Sequence, residues 1–303
     1  MIGRWFARAS GLALAGFLAM SSLAGAALAQ LQSQDSRTSG GYAGQTTSSL
    51  GSPIPWGTGL QAGTGPVHDE VAWFNSLVLW IIVGITIFVL LLLAYVVWRF
   101  RETANPTASR TSHNTPLEIA WTVVPVLILL VIAIPSFRLI YYQDRARDAD
   151  LTINVQGRQW YWNYTYPDQD GLTFDSRPIP DDDLQPGQLR NLAVDEPMVL
   201  PVNATVRVLT TGQDVIHSFF VPSLGVQKYT IPGRTLETWF RTDREGVFYG
   251  QCNQICGTNH WFMPIAVRVV PQAEFTAWVE ETKKKYAQTD GAAPELRMAG
   301  AAR

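Results

Sequence analysis

Two long apolar runs dominate the first half of the chain. Residues 77–98 contain no charged side chain, and neither do residues 119–137. The first run is about 22 residues long, enough to cross a hydrocarbon core of roughly 30 Å at about 1.5 Å of rise per residue. Trp73, Trp80, Tyr95 and Trp98 fall towards its ends, where amphipathic rings favour the membrane interface. The second span covers about 117–140 and carries Pro125 and Pro135. Neighbouring helices can satisfy the carbonyls those prolines leave free, which points to a larger membrane assembly. Thr115, Pro116 and Glu118 read as N-cap, first helical position and returning carboxylate of a capping box. An ionisable group at a membrane edge also invites a proton-intake reading of Glu118, and both roles stay open. Between the spans, Arg99, Arg101 and Arg110 meet only Glu102. That bias makes the loop cytoplasmic and places everything after Tyr142 outside.

Past residue 150 the pattern changes to short β-branched and aromatic runs at 151–166, 198–211, 215–221, 235–242, 247–250 and 265–270. Period-two alternation and punctuation by Gly, Pro, Asp and Asn predict an all-β Greek-key sandwich or barrel. A helix follows from 272 to about 286, with Phe275, Trp278 and Val279 on one face and Lys283 to Lys285 at its C-terminal end, where cations suit the dipole. The tail from Ala287 reads as disordered, and Asp181-Asp182-Asp183 as a solvated acidic turn.

At the N-terminus, Arg4 and Arg8 precede an apolar stretch over 11–28, and Ala27-Leu28-Ala29 supplies small residues before Gln30. This is the pattern of a cleaved signal peptide; an uncleaved anchor is the rival, and both put residue 30 outside the cytoplasm. Residues 31–65 are rich in Ser, Gly, Thr and Gln, a disordered or draped linker. The expected organisation is a signal over 1–29, a linker over 30–65, a membrane hairpin over 66–142, a β domain over 143–271 and a helix with its tail over 272–303.

Composition agrees. Of 303 residues, 47% are hydrophobic and 16% charged, against about 25% charged in an ordinary soluble domain, so a wholly soluble cytoplasmic protein is excluded. A formal net charge of −2 and a pI near 6.1 give no basic face for nucleic acid. Two cysteines are too few for a disulfide-stapled scaffold.

Those two cysteines nevertheless carry the chemistry. Cys252, Cys256, His260 and Met263 form C-x3-C-x3-H-x2-M on a connection between two β runs. Two cysteines in an exported domain would ordinarily pair. Against that, imidazole and thioether donors share the loop, and a further histidine, His217, interrupts an apolar strand. Thiolate, imidazole and thioether together select copper over zinc, magnesium or calcium. A second cysteine makes two bridging thiolates possible, hence two copper ions with one histidine each. With no coordination position left open, such a centre suits electron transfer.

These residues resemble subunit II of bacterial haem–copper cytochrome c oxidases. The resemblance rests on Thr115-Pro116-Leu117-Glu118, Gln159-Trp160-Tyr161-Trp162-Asn163-Tyr164, Asp214-Val215-Ile216-His217-Ser218, Pro222-Ser223-Leu224-Gly225, Ile231-Pro232-Gly233-Arg234 and the cysteine loop through Met263-Pro264-Ile265. It implies a cupredoxin domain with a dinuclear CuA centre of two copper ions. The ligands would be His217, Cys252, Cys256, His260, Met263 and the Gln254 main-chain carbonyl. It implies subunits I and III as membrane partners, cytochrome c as donor, haem in subunit I as acceptor, and a place in the bacterial inner membrane with the copper domain periplasmic. It makes Trp160 the point where electrons arrive, while Trp162 and Tyr164 read as core by their strand spacing.

Some positions depart from that family. The residue between the cysteines is usually Glu, whose carboxylate reaches a magnesium ion at the subunit I boundary. Gln254 leaves the copper ligand intact, since that is a carbonyl, but argues against magnesium. Thr165 and Tyr229 stand where acids are common, so cytochrome c docking would either weaken or shift to Asp168, Asp170 and the Asp181 to Asp183 loop, with Asp214 on the rim. A quinol-oxidase subunit II would lack the copper ligands. A membrane-tethered copper chaperone or a purely disulfide-bonded subunit are the remaining rivals.

Overall fold

A computed structural model of the chain describes residues 51–290 except Ala108 and Arg147. The signal peptide, the first part of the linker and the end of the tail lie outside the described residues. Helix α1 (Pro66–Arg99) and helix α2 (Thr115–Gln143) form an antiparallel hairpin whose apolar side chains are mostly exposed. At about 1.5 Å per residue, both are longer than a bilayer core of roughly 30 Å needs. Each is long and apolar enough to cross a membrane. Helix α2 continues through Pro125 and Pro135.

The capping box at the start of α2 is shifted by one residue from its expected place. Asn114, not Thr115, is the N-cap: its side-chain oxygen accepts from the Leu117 N–H at 3.3 Å. Glu118 Oε1 accepts from the Asn114 N–H at 3.1 Å. Asn is as good an N-cap as Thr, and the pattern S/T-x-x-E hid it.

The outer domain is a sandwich of two five-stranded sheets. One is ordered β3 (Leu172–Ser176), β2 (Tyr161–Tyr166), β1 (Leu151–Arg158), β5 (Thr205–Gly212) and β8 (Leu236–Arg241). The other is β4 (Met198–Pro201), β10 (Pro264–Val270), β9 (Gly246–Cys252), β6 (His217–Val221) and β7 (Val226–Thr230). The β1–β5 and β4–β10 ladders are parallel and the others antiparallel. The run 151–166 is thus two strands of a hairpin that turns at Gln159 and Trp160. Strands β3 and β7 escaped the sequence pattern.

Alternate residues of β1 and β2 point into the core, which holds Ile153, Val155, Trp162, Tyr164 and Tyr166, all fully buried. Trp162 meets Phe219 edge-to-face at 5.5 Å, so one large ring spans the two sheets; truncating such a ring to Ala costs about 3–5 kcal/mol. The Tyr166 hydroxyl donates to the Val199 carbonyl at 3.0 Å and accepts from the Val199 N–H at 2.9 Å, tying β2 to β4. Helix α3 (Gln272–Asp290) closes one end with Phe275 and Val279 buried; it runs beyond Ala287, where disorder was expected.

Described linker residues lie on the β domain. Tyr249 N–H donates to the Gly51 carbonyl at 2.9 Å, Thr64 N–H to the Ser223 carbonyl at 2.9 Å, and Thr64 Oγ1 to Asp243 at 2.7 Å. The membrane end of α2 is anchored as well: Trp239 Nε1–H donates to the Tyr142 carbonyl at 2.6 Å and Thr238 Oγ1 to the Gln143 carbonyl at 3.1 Å. The β domain is therefore held to the hairpin by defined contacts.

Candidate metal centre

Strand pairing assembles the centre. Strand β9 ends at Cys252, and the loop to β10 carries Cys256, His260 and Met263. On the neighbouring strand β6, Phe219 pairs with Cys252. His217 lies two residues before Phe219 and shares its face by strand alternation, so the ladder carries a histidine far away in sequence to the first cysteine. The Asn253 N–H donates to the Ser218 carbonyl at 3.1 Å, and the Cys252 N–H to the Met263 carbonyl at 3.0 Å. Space for the imidazole comes from Gly157 on β1, where a Cβ would sit 2.8 Å from the His217 ring and 2.7 Å from Thr230 Oγ1.

Both cysteines are buried and free. Their sulfurs stand 3.8 Å apart, far beyond a disulfide bond of about 2.05 Å. Each has its own imidazole: His217 Nδ1 is 4.0 Å from Cys252 Sγ, and His260 Nδ1 is 3.6 Å from Cys256 Sγ. The Gln254 carbonyl lies 3.3 Å from Cys252 Sγ. His217, Cys252 and Cys256 present ligand atoms all within 4.8 Å of one another. Met263 is fully buried in the same cluster. Thiolate–metal bonds are about 2.3 Å long, taking zinc as the gauge. Sulfurs 3.8 Å apart can therefore both touch one ion. The donor types that the loop and β6 bring together fit copper, namely two buried cysteines, a buried and a half-buried histidine, a buried methionine and a main-chain carbonyl beside Cys252.

The electrostatics prepare one thiol for ionisation. Burial pushes Cys252 up, but hydrogen bonding from His217 and from the Gln254 and Ser218 main chain outweighs it and holds the thiol below its ordinary range. Cys256 is pushed up, by burial first and then by the neighbouring Cys252 thiolate. Burial would lower His217, yet Cys252 and Asp214 together raise it. A metal ion would remove this asymmetry, because a coordinated thiol is deprotonated outright.

Asp214 plays a different part from the one expected. Its Oδ1 lies 2.8 Å from His217 Nε2 and accepts from the Val215 N–H at 2.6 Å; its Oδ2 accepts from the Gln159 N–H at 2.7 Å. The carboxylate that the sequence places on a docking rim also holds the His217 ring in place through this contact. Gln159 also donates its side-chain amide to the Cys256 carbonyl at 2.7 Å. Neither link was seen in the sequence, although the D-x-x-H spacing of Asp214 and His217 was a usable signal.

Trp160 sits in the β1–β2 turn rather than on a strand face, half-buried and packed on the core, while Trp162 and Tyr164 are fully buried in it. Asp168 and Asp170 lie at the opposite end of that hairpin: Asp168 accepts from the Thr152 N–H at 2.7 Å, and Asp170 pairs with Lys283 at 2.7 Å. From Thr152 to Arg158 at about 3.3 Å per residue is some 20 Å, so neither acid can rim a surface centred on Trp160. Asp181 is paired with Arg190 at 2.7 Å. The exposed large apolar residues of the sandwich instead gather beside the ligands. They are Val215, Ile216, Tyr229, Ile255 at 80% exposure and Trp261 at 59%.

Two free cysteines, each faced by a histidine, at the end of a β-sandwich carried on a membrane hairpin are the makings of a membrane-tethered metal-binding protein. The profile for "Cytochrome C oxidase subunit II, periplasmic domain" matches residues 151–270, and that for its transmembrane domain matches residues 53–139. A "Probable cytochrome c oxidase subunit 2" of Rickettsia bellii is 48% identical over 232 residues, which are 77% of this chain and 86% of that protein. A "Cytochrome c oxidase subunit 2" of Cereibacter sphaeroides is 43% identical over 257 residues, covering 79% and 84%. Among solved structures, the periplasmic domain of subunit II of cytochrome oxidase of Bradyrhizobium japonicum is 52% identical, covering 47% of this chain and 99% of that one, with a TM-score of 0.44. The chain belongs to the cytochrome c oxidase subunit II family. Membership makes it a membrane subunit of a respiratory oxidase with a periplasmic β domain, a copper centre and subunit I as its partner.

Proposed function

We propose that the chain takes electrons singly from cytochrome c at a dinuclear CuA centre and passes them to haem in subunit I, where oxygen is reduced and protons are pumped. The observation that carries this is the pair of free thiols 3.8 Å apart, each faced by its own imidazole. Bound copper supplies a one-electron couple. Everything else is done by the chain. Cys252 and Cys256 hold the metal jointly, His217 and His260 flank it, Met263 and the Gln254 carbonyl complete the shell, and Asp214 sets the His217 ring.

Two features support the docking part of this reading. The exposed apolar residues lie around the ligand loop, as an interface centre requires, and the half-buried Trp160 stands among them against Gly257. Cytochrome c docks on this apex in our reading, and the Trp160 indole lies on the electron's path. Gln254 is a neutral amide, which repays the dehydration of Mg²⁺ less well than a carboxylate, so the side chain holds no magnesium at the subunit I boundary. Glu118, capped onto Asn114 at the cytoplasmic end of α2, remains the candidate for proton intake. Subunit III completes the assembly, and the inner membrane is its place.

Stopped-flow mixing of ferrocytochrome c with the oxidase tests the reading. Trp160→Gln should cut the electron-transfer rate severely and leave cytochrome c affinity nearly unchanged. Loss of fold or of copper in that variant would make Trp160 a core residue and place the electron's arrival elsewhere.

A further inference from the structure

Gln159 is an exposed glutamine in a two-residue turn, a place where such side chains normally wave in water. This one is tied at both ends. Its amide donates to the Cys256 carbonyl at 2.7 Å, and its main-chain N–H donates to Asp214 Oδ2 at 2.7 Å. The other oxygen of Asp214 lies 2.8 Å from His217 Nε2. One residue therefore bridges the turn that leads into strand β6 and the cysteine loop.

The next residue is Trp160, and its ring has no polar anchor of its own: Nε1 is buried without a hydrogen-bond partner among the described residues. The ring lies against Gly257, where a Cβ would be 3.0 Å from Trp160 Cζ2 and 3.4 Å from Trp160 Nε1. The same Cβ would be 3.0 Å from Gln159 Nε2. Gly257 also holds a φ of +126°, a region that glycine alone adopts readily. Among the described residues the indole is held over the loop by packing, by the turn that carries it and by the two Gln159 bonds, with no hydrogen bond of its own.

We infer that Gln159 is the positioning residue that fixes Trp160 against the ligand loop, so that the distance from the indole to the Cys256 side of the centre is held while a donor protein docks and leaves. This rests on the reading of Trp160 and the copper loop given above. In the step concerned, ferrous cytochrome c loses one electron and becomes ferric, and the copper centre gains it; no bond forms or breaks. Gln159 carries no electron and acts through Trp160.

The test uses the assembled oxidase with photoreduced cytochrome c at saturating concentration, recording the first electron-transfer rate, copper content, the visible spectrum and cytochrome c affinity. Gln159→Leu keeps the bulk and removes the donors; Gln159→Glu keeps the shape but sets a carboxylate against the Cys256 carbonyl. Both should slow transfer at least tenfold with copper content and affinity unchanged. In a Trp160→Gln background the same changes should alter the rate less than twofold, because the residue they position is gone. A normal rate in copper-replete Gln159→Glu overturns the inference, as does an equal loss in the Trp160→Gln background. If Gln159→Leu sheds copper, the Gln159→Glu rate decides. Slow Trp160→Gln with normal Gln159 variants defeats the positioning role alone, whereas normal Trp160→Gln defeats the tryptophan reading and this role with it.

Discussion

Replacing Asp214 by Asn separates an orienting carboxylate from a docking charge. The carboxylate accepts from the Gln159 N–H at 2.7 Å and the Val215 N–H at 2.6 Å, and faces His217 Nε2 at 2.8 Å. Asn keeps one acceptor oxygen, so whichever way the amide is turned its NH2 meets an N–H donor. A hydrogen bond to a charged group is worth about 1.5–3 kcal/mol when buried. With the Asp214 side chain 33% exposed, water takes part of that, leaving a loss of about 1 kcal/mol in folding. The larger effect falls on the metal, since removing a ligand's orienting partner typically weakens binding about 10–100-fold. That corresponds to about 1.4–2.8 kcal/mol. Copper competition against a chelator of known affinity should therefore show a Kd at least tenfold weaker for Asp214→Asn. Despite partial burial, hydrogen bonding from His217, Gln159 and Val215 holds the Asp214 carboxyl below its usual range. Its stabilising contribution to the metal-free fold is complete above the unfolded value of about 3.9 and disappears as pH falls through the folded one. The stability gap between native and variant chains should close on that acid side. Copper affinity within twofold of native, together with a slower and less salt-sensitive cytochrome c on-rate, would refute the orienting role and restore the rim.

Three further changes probe the centre and its surroundings. Cys256→Ser should leave at most one copper per chain by metal analysis and nearly abolish electron uptake; two retained coppers would contradict bridging thiolates. Gln254→Glu should raise Mn²⁺ incorporation in the assembled oxidase with the copper spectrum nearly unchanged, and equal Mn²⁺ in both forms would count against the amide argument. Glu118→Gln preserves most of the cap on Asn114, so slowed turnover in an assembled enzyme would mark proton intake, and unchanged turnover would leave capping alone.

The hairpin and the β domain were legible because their signals are local. Charge-free runs of bilayer length and the arginines between them announce α1 and α2, and alternation in 151–155 and 206–208 announces β1 and β5. Failures occurred where tertiary contact decides. Strand β7, Val226–Thr230, carries Gln227 and Lys228 on a short, half-exposed ladder, so its pattern is diluted. The run 151–166 hid a two-residue turn because Gln159 and Trp160 carry no Gly, Pro, Asn or Asp to mark it. The loop ligands declared themselves by spacing. His217 stood out as a histidine interrupting an apolar strand, and the pairing of Phe219 with Cys252 brings it to the cysteines; the Gln159 and Asp214 links depend on side-chain reach across strands, which no period in the sequence encodes. Asp168 and Asp170 were misplaced for the same reason: they are close to Trp160 along the chain but sit at the far end of the hairpin.

A dinuclear centre requires two coppers sharing one unpaired electron. Electron paramagnetic resonance of the oxidised, copper-loaded chain measures this directly through hyperfine splitting. The expected pattern is that of one electron spread evenly over two copper nuclei, with two coppers per chain by metal analysis. A pattern from a single copper nucleus, or a silent chain with its cysteines joined, would contradict it.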